Sequence, residues 1–118
     1  MDVRKNIILI KSEDFSVNVI FFVQKNAIES VSQVLGKKFL RSSTSIGANF
    51  CEAQDSSSSK EFTQKMLIAL REAKESQYWI RLLKRTNSKS MKDLLALESE
   101  LGEVTALLVA IIKKMRNR

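Results

Sequence analysis

The architecture turns on residues 41–62, RSSTSIGANFCEAQDSSSSKEF, a small and polar stretch in a chain with no proline and three glycines. It could be a linker, a phosphate loop or the wall of a bundle. Leu35, Phe39, Ser42, Ile46, Asn49 and Ala53 follow one another at steps of four and three, the rhythm of one helix face. The first part of the stretch therefore reads as the second half of a helix over about 29–53. Ser45, Gly47 and Ala48 beside that face let a neighbouring backbone come close, which offsets the ~0.5–1 kcal/mol that a glycine costs inside a helix. DSSSS, residues 55–59, is then the turn. Ser58 followed three residues later by Glu61 is a capping box that opens a new helix. A nucleotide-phosphate loop would need glycines at fixed spacing ending in Gly-Lys-Ser/Thr, and none is present.

Working outward, the next helix runs over about 59–85, with Phe62, Met66, Ala69, Ala73, Ser76, Ile80 and Leu83 in an unbroken core row. Ser90 with Asp93 repeats the capping signature and opens a helix over about 91–115. There Leu94, Leu97, Leu101, Val104, Leu108, Ile111 and Met115 keep the 3.5-residue repeat of a bundle seam. Toward the N-terminus, Ser12 with Glu13 and Asp14 reads as the cap of a helix over about 12–26. Phe15, Val19 and Phe22 form its buried face, widened by Ile20 and Val23. The boundary in QKNAIES, residues 24–30, is the least marked. Helices of this length joined by short turns lie antiparallel, so the expected fold is all-α: one domain over 1–118, an up-down-up-down four-helix bundle.

The composition removes several classes of function. Histidine is absent and Cys51 is the one cysteine, which leaves no intramolecular disulfide, no cysteine/histidine zinc cluster, no serine triad and no Glu-x-x-His iron ligands. Cys51, beside Phe50 and Glu52, reads as a small hydrophobe and not as a reactive thiol. Glu72 with Glu75, and Glu100 with Glu103, pair one turn apart but supply too few oxygens for a hard cation. The expectation is a non-enzymatic protein without cofactor or metal. Apolar runs are shorter than the ~20 residues of a membrane span, and NIILI is too short for a signal sequence, so a cytoplasmic setting is expected.

The net charge of +7 is unevenly placed: residues 60–92 carry nine basic and three acidic side chains, net +6. Within them Arg71, Lys74, Tyr78, Arg81 and Arg85 recur at three and four. They lie two residues, about 200°, from core positions. A row of cations can neutralise successive phosphates, and a tyrosine among them can stack on an unpaired base. Lys113, Lys114 and Arg116 add charge at the C-terminus. The competing reading is a solvated face on a structural or protein-interaction scaffold with no nucleic-acid ligand, whose charge keeps it soluble or matches an acidic protein partner. A third row, Ile68, Glu72, Glu75, Trp79 and Leu82, reads either as a subunit contact or as a deeper part of the core.

KSEDFSVNVI, LRSSTSIGANFCEAQ, SKEFTQKMLIALREAKESQYWIRLLKR and LLALESELGEVTALLVAIIKKM together make the chain resemble the bacterial 23S rRNA-intervening-sequence proteins over about 6–115. Arg41, Ser45, Ile46, Gly47, Ala48, Asn49, Glu52 and Ala53, then Phe62, Leu70, Glu72, Ala73, Glu75, Trp79 and Leu83, carry the likeness. The resemblance implies a homo-oligomeric four-helix bundle, a pentamer around an axial opening. A related protein, the accessory variability determinant of diversity-generating retroelements, binds RNA and a reverse transcriptase through basic surfaces. The family name records where the genes sit and not a ribosomal role. Beside the resemblance, Arg41, Ser45, Asn49 and Glu52 form a structural motif. Asn49 and Glu52 are expected to bond to the third helix or to the next subunit and so fix the register.

Overall fold

The computed structural model describes residues 3–26 and 30–116. Four helices, α1 (Val3–Asn26), α2 (Ser30–Gln54), α3 (Ser59–Thr86) and α4 (Met91–Arg116), follow one another, with a short 3₁₀ turn at Ser88–Ser90. Each packs on the next and α4 returns to α1, giving a four-sided bundle in which α2 and α3 share the most extensive contact. Side-chain pairs fix the directions. Lys11 meets Glu103 and Lys25 meets Asp93 across α1 and α4, while Arg41 meets Glu75 and Glu52 meets Lys65 across α2 and α3. Rising numbers oppose falling ones in both cases, so these neighbours are antiparallel. The result is a rod 47 Å long and about 20 Å across.

The core rows of α3 and α4 stand where their spacing placed them. Phe62, Met66, Ala69, Ala73, Ser76, Ile80 and Leu83 are buried, as are Leu94, Leu97, Leu101, Val104, Leu108 and Ile111, joined by Ile112; Met115 is half-buried. Phe39 on α2 sits between Phe15 and Phe22 of α1, with ring centroids 6.5 and 6.2 Å apart and near-perpendicular planes. That arrangement sets ring edges against ring faces, the favoured geometry for aromatic pairs.

α1 departs from expectation. It begins at Val3, not at Ser12, and Ile8 is fully buried, one heptad before Phe15. Ser12 is no cap: it is buried within the helix and its hydroxyl donates back to the Leu9 carbonyl at 3.2 Å. A Ser-Glu-Asp triplet is a start signal only where no apolar register precedes it, and Ile8 supplies that register. Ser90 is a second correction. Its buried hydroxyl donates to Asn26 Oδ1 at 2.7 Å, tying the entry of α4 to the end of α1. The expected start of the second helix at residue 29 lies outside the described residues.

The 41–62 stretch is helix wall, turn and helix start, as read. Ser16 donates to the Ser43 carbonyl, and a Cβ built on Gly47 would lie 3.3 Å from Ser12 Oγ, so α1 rests almost directly on the α2 backbone. On the α3 side Ser42 and Ser76, both fully buried, share a hydrogen bond of 2.7 Å, with Ser43 Oγ 3.3 Å from Ser76 Oγ. The turn is closed by Asp55 N–H and Ser56 N–H donating to Glu52 and Ala53 carbonyls. Ser58 accepts from Glu61 N–H at 3.1 Å, while the Glu61 carboxylate accepts from the Ser57 N–H and hydroxyl. The cap is therefore reciprocal, with its second half one residue earlier than a standard box.

Candidate nucleic-acid interface

α3 has three longitudinal rows, and its core row fixes the other two. With the core row locked against α2 and α4, residues two positions away must point outward. Arg71, Lys74, Tyr78, Arg81 and Arg85 are all exposed, Tyr78 by 45% of its surface. Over the described residues, none of the four cations is paired with a carboxylate. By contrast Lys65 and Lys84, on the flanks of the same helix, pair with Glu52 at 3.8 Å and Glu98 at 3.1 Å. Arg81 lies 5.7 Å from the Tyr78 ring centre, and Tyr78 meets Trp79 edge-on at 5.2 Å. The row thus spans the 15 residues from Arg71 to Arg85, about 21 Å at 1.5 Å per residue, a line of positive charge without a carboxylate partner among the described residues, around one accessible aromatic face. Lys113, Lys114 and Arg116 are exposed in the last turn of α4, where the helix dipole favours cations.

The third row, Ile68, Glu72, Glu75, Trp79 and Leu82, is half-buried throughout, and Glu72, Glu75 and Trp79 in it meet α2. Arg41 of α2 reaches across to it: Nη2 donates to Glu75 at 2.6 Å and Nη1 lies 3.1 Å from Glu72 Oε2, an ion contact without hydrogen-bond alignment. The hydrogen bond to Glu75, opposed by some desolvation and reinforced by both carboxylate charges, raises the Arg41 pKa above its ordinary value. Two of the five residues are therefore engaged inside the protomer. Trp79 packs against the core, Lys38 lies 5.8 Å from its ring centre, and its indole N–H is buried without an acceptor.

The motif on α2 divides. Arg41 hydrogen-bonds to α3 and Glu52 stands in a long ion pair with Lys65 of α3, 3.8 Å, on the side expected for it. Ser45 and Asn49 do not reach α3 within the protomer: Ser45 donates to the Arg41 carbonyl at 2.7 Å and the Asn49 amide donates to the Ser45 carbonyl at 2.8 Å. A polar side chain on a helix can satisfy itself on the preceding turn, and Asn49 takes that route. Cys51, read as a small hydrophobe, is exposed, while its neighbour Phe50, outside the predicted row, is fully buried. What the sequence reading missed is the engagement of Arg41 with Glu72 and Glu75; opposite charges one turn apart on facing small-residue helices were the available signal.

The class defined by this geometry is a four-helix bundle with a cationic outer face. The chain belongs to the 23S rRNA-intervening sequence protein family, whose model matches residues 4–110. It is also similar to a protein of unknown function from the S23 ribosomal protein family of Bacteroides thetaiotaomicron, known from a crystal structure at 1.70 Å resolution. That likeness has 36% identity and a TM-score of 0.88, and covers 94% of this chain and 99% of the other. No curated protein matches the chain. No helix among the described residues is long and apolar enough to cross a membrane.

Proposed function

We propose that this protein is a non-enzymatic homo-oligomer, a pentamer by its family resemblance, that binds RNA or another nucleic acid through the outer face of α3 and the basic end of α4. The observation that carries the reading is the contrast within α3. Lys65 and Lys84 on its flanks are met by carboxylates, whereas Arg71, Lys74, Arg81 and Arg85 line up around Tyr78 with no carboxylate partner among the described residues. Phosphates are the ligand such a row suits, because each neutralised phosphate releases counterions, and the exposed ring offers a base a stacking surface. Assembly multiplies a weak site by raising the effective concentration of its neighbours.

Light scattering coupled to size exclusion, with nucleic-acid and protein absorbance followed before and after nuclease, reports stoichiometry and bound RNA together. The wild-type protein is expected to carry RNA that nuclease removes. The variant with Arg71, Lys74, Arg81 and Arg85 all changed to Glu is expected to carry none at unchanged helicity. Equal RNA retention by that variant defeats the reading. Protein free of nucleic acid that also leaves labelled RNA unshifted at low salt points instead to a scaffold for protein partners.

A further inference from the structure

Two faces on opposite sides of the bundle are unfinished, and they differ. On the α1/α4 face, Ile7, Ile10, Val17 and Phe21 form an exposed apolar row on α1, with Ile10 and Phe21 each exposed by 60%. The seam beside it is acidic: Asp14, Glu100 and Glu103 line one cleft together with Lys11, whose charge is met by Glu103 at 2.6 Å. Among the described residues Glu100 accepts from the Asn18 amide alone, at 2.9 Å. On the α2/α3 face, Val31 and Val34 are exposed, Val34 by 55%, in line with Lys38. Lys38 lies over Trp79 with no carboxylate partner among the described residues, and the Trp79 N–H lacks an acceptor. Apolar rows of this kind mark contact surfaces.

We infer that, in the oligomer proposed above, the α1/α4 face of one copy docks on the α2/α3 face of the next, with Val17 and Phe21 against Val34 and Trp79, and Lys38 against Asp14 and Glu100. The occupant is a second copy because each face holds what the other lacks: a free cation beside apolar side chains on one, uncompensated carboxylates beside apolar side chains on the other. A two-fold dimer is disfavoured by the same chemistry. It sets a patch against its own copy, and here that brings Asp14 and Glu100 toward like charges. Contacts between unlike faces propagate head to tail and close into a ring when the rotation allows.

The test uses variants that block one face each: Phe21→Lys, with Val17→Lys as a second block of the same face, and Val34→Glu. All three sites are exposed, and circular dichroism reports whether the fold is kept. Each variant alone is expected to run at the mass of one protomer, 13.4 kDa, with self-association weakened at least tenfold. An equimolar mixture of Phe21→Lys with Val34→Glu is expected to give a complex of two protomers and nothing larger, since each partner retains one working face. A wild-type monomer, an oligomer that survives either block, or a dimer formed by Val34→Glu alone overturns the assignment. Nucleic-acid binding is read separately: an assembly of the expected kind without RNA removes the ligand and leaves the interface, while RNA bound by a wild-type monomer removes the interface alone.

Discussion

At Gly47 the backbone of α2 is the packing surface. A Cβ there would stand 3.3 Å from Ser12 Oγ and 3.7 Å from Ser12 Cβ, whereas nothing lies within 4 Å of the same atom at Gly102. Both glycines are in helix interiors, so both give up backbone stability that alanine would restore. Their substitutions should part company. Gly102→Ala is expected to stabilise the protein by about 0.5–1 kcal/mol, and Gly47→Val to destabilise it by about 1–3 kcal/mol, because α1 has to move outward. Urea unfolding of the two variants checks this, and equal shifts would mean that the Ser12 contact does not bear on stability. The buried hydroxyls of Ser42, Ser43 and Ser76 do at the α2/α3 seam what Gly47 does at the α1/α2 seam. They keep the helices close while meeting one another's hydrogen bonds. An apolar side chain larger than serine at 76 would fill the space and take the partner of Ser43, while Ser42 keeps its hydrogen bond to the Phe39 carbonyl.

The starts of α3 and α4 depend on different kinds of support. α3 has a complete cap: Ser58 receives the Glu61 N–H, and the Glu61 carboxylate receives both donors of Ser57. Those hydrogen bonds from Ser57 hold the Glu61 carboxyl below its ordinary pKa. A carboxylate with a depressed folded-state pKa stabilises the native state above its unfolded value, and the contribution is lost as pH falls through that value and then through the folded one. Ser58→Ala is expected to cost about 1 kcal/mol at neutral pH. In Glu61→Gln the difference between stability at neutral pH and below the usual carboxylate range of about 4 should shrink. Chemical denaturation at the two pH values measures both effects; an unchanged pH dependence in Glu61→Gln would assign no role to the carboxylate. This cap was readable in the sequence because every one of its partners lies within four residues. The same signature at Ser90 and Asp93 misled, since the Ser90 hydroxyl finds Asn26 from another helix. The start of α1 misled for the reverse reason: Ile8 continues the core register, but an apolar patch of four residues is too brief to outweigh a serine followed by two acids. The outward direction of the α3 row, by contrast, needed only the angle from a regular core row. Which cations are paired needed the neighbours as well: Glu98, which meets Lys84, and Glu72 and Glu75, which meet Arg41, stand on other helices than the cations they neutralise.

For the molecule as a whole, charge is unevenly spread along a rod 47 Å long. The α1/α4 side carries the cleft of Asp14, Glu100 and Glu103, and the outer side of α3 carries the free cations. A rod with this polarity can assemble through one pair of sides and leave the cationic row available to a ligand, provided the row is not itself consumed in the contact. That condition can be measured through salt. Four cations neutralising single-strand phosphates predict a slope of log affinity against log salt near −3, from about −0.7 per contact. Between 50 and 200 mM salt this is a loss of roughly 50-fold for a strand short enough to meet one protomer. A longer strand that meets several rows at once should show a slope steeper in proportion to the rows engaged, and the monomer produced by Phe21→Lys should stay near −3 at every length. Fluorescence anisotropy with labelled strands of increasing length supplies both curves. If the slope of the wild-type protein does not change with length, the rows act singly, and assembly serves some purpose other than holding nucleic acid. If Phe21→Lys shows a shallower slope than the wild type on the short strand, the contact between copies is itself shaping the row, and the two surfaces cannot be treated as independent.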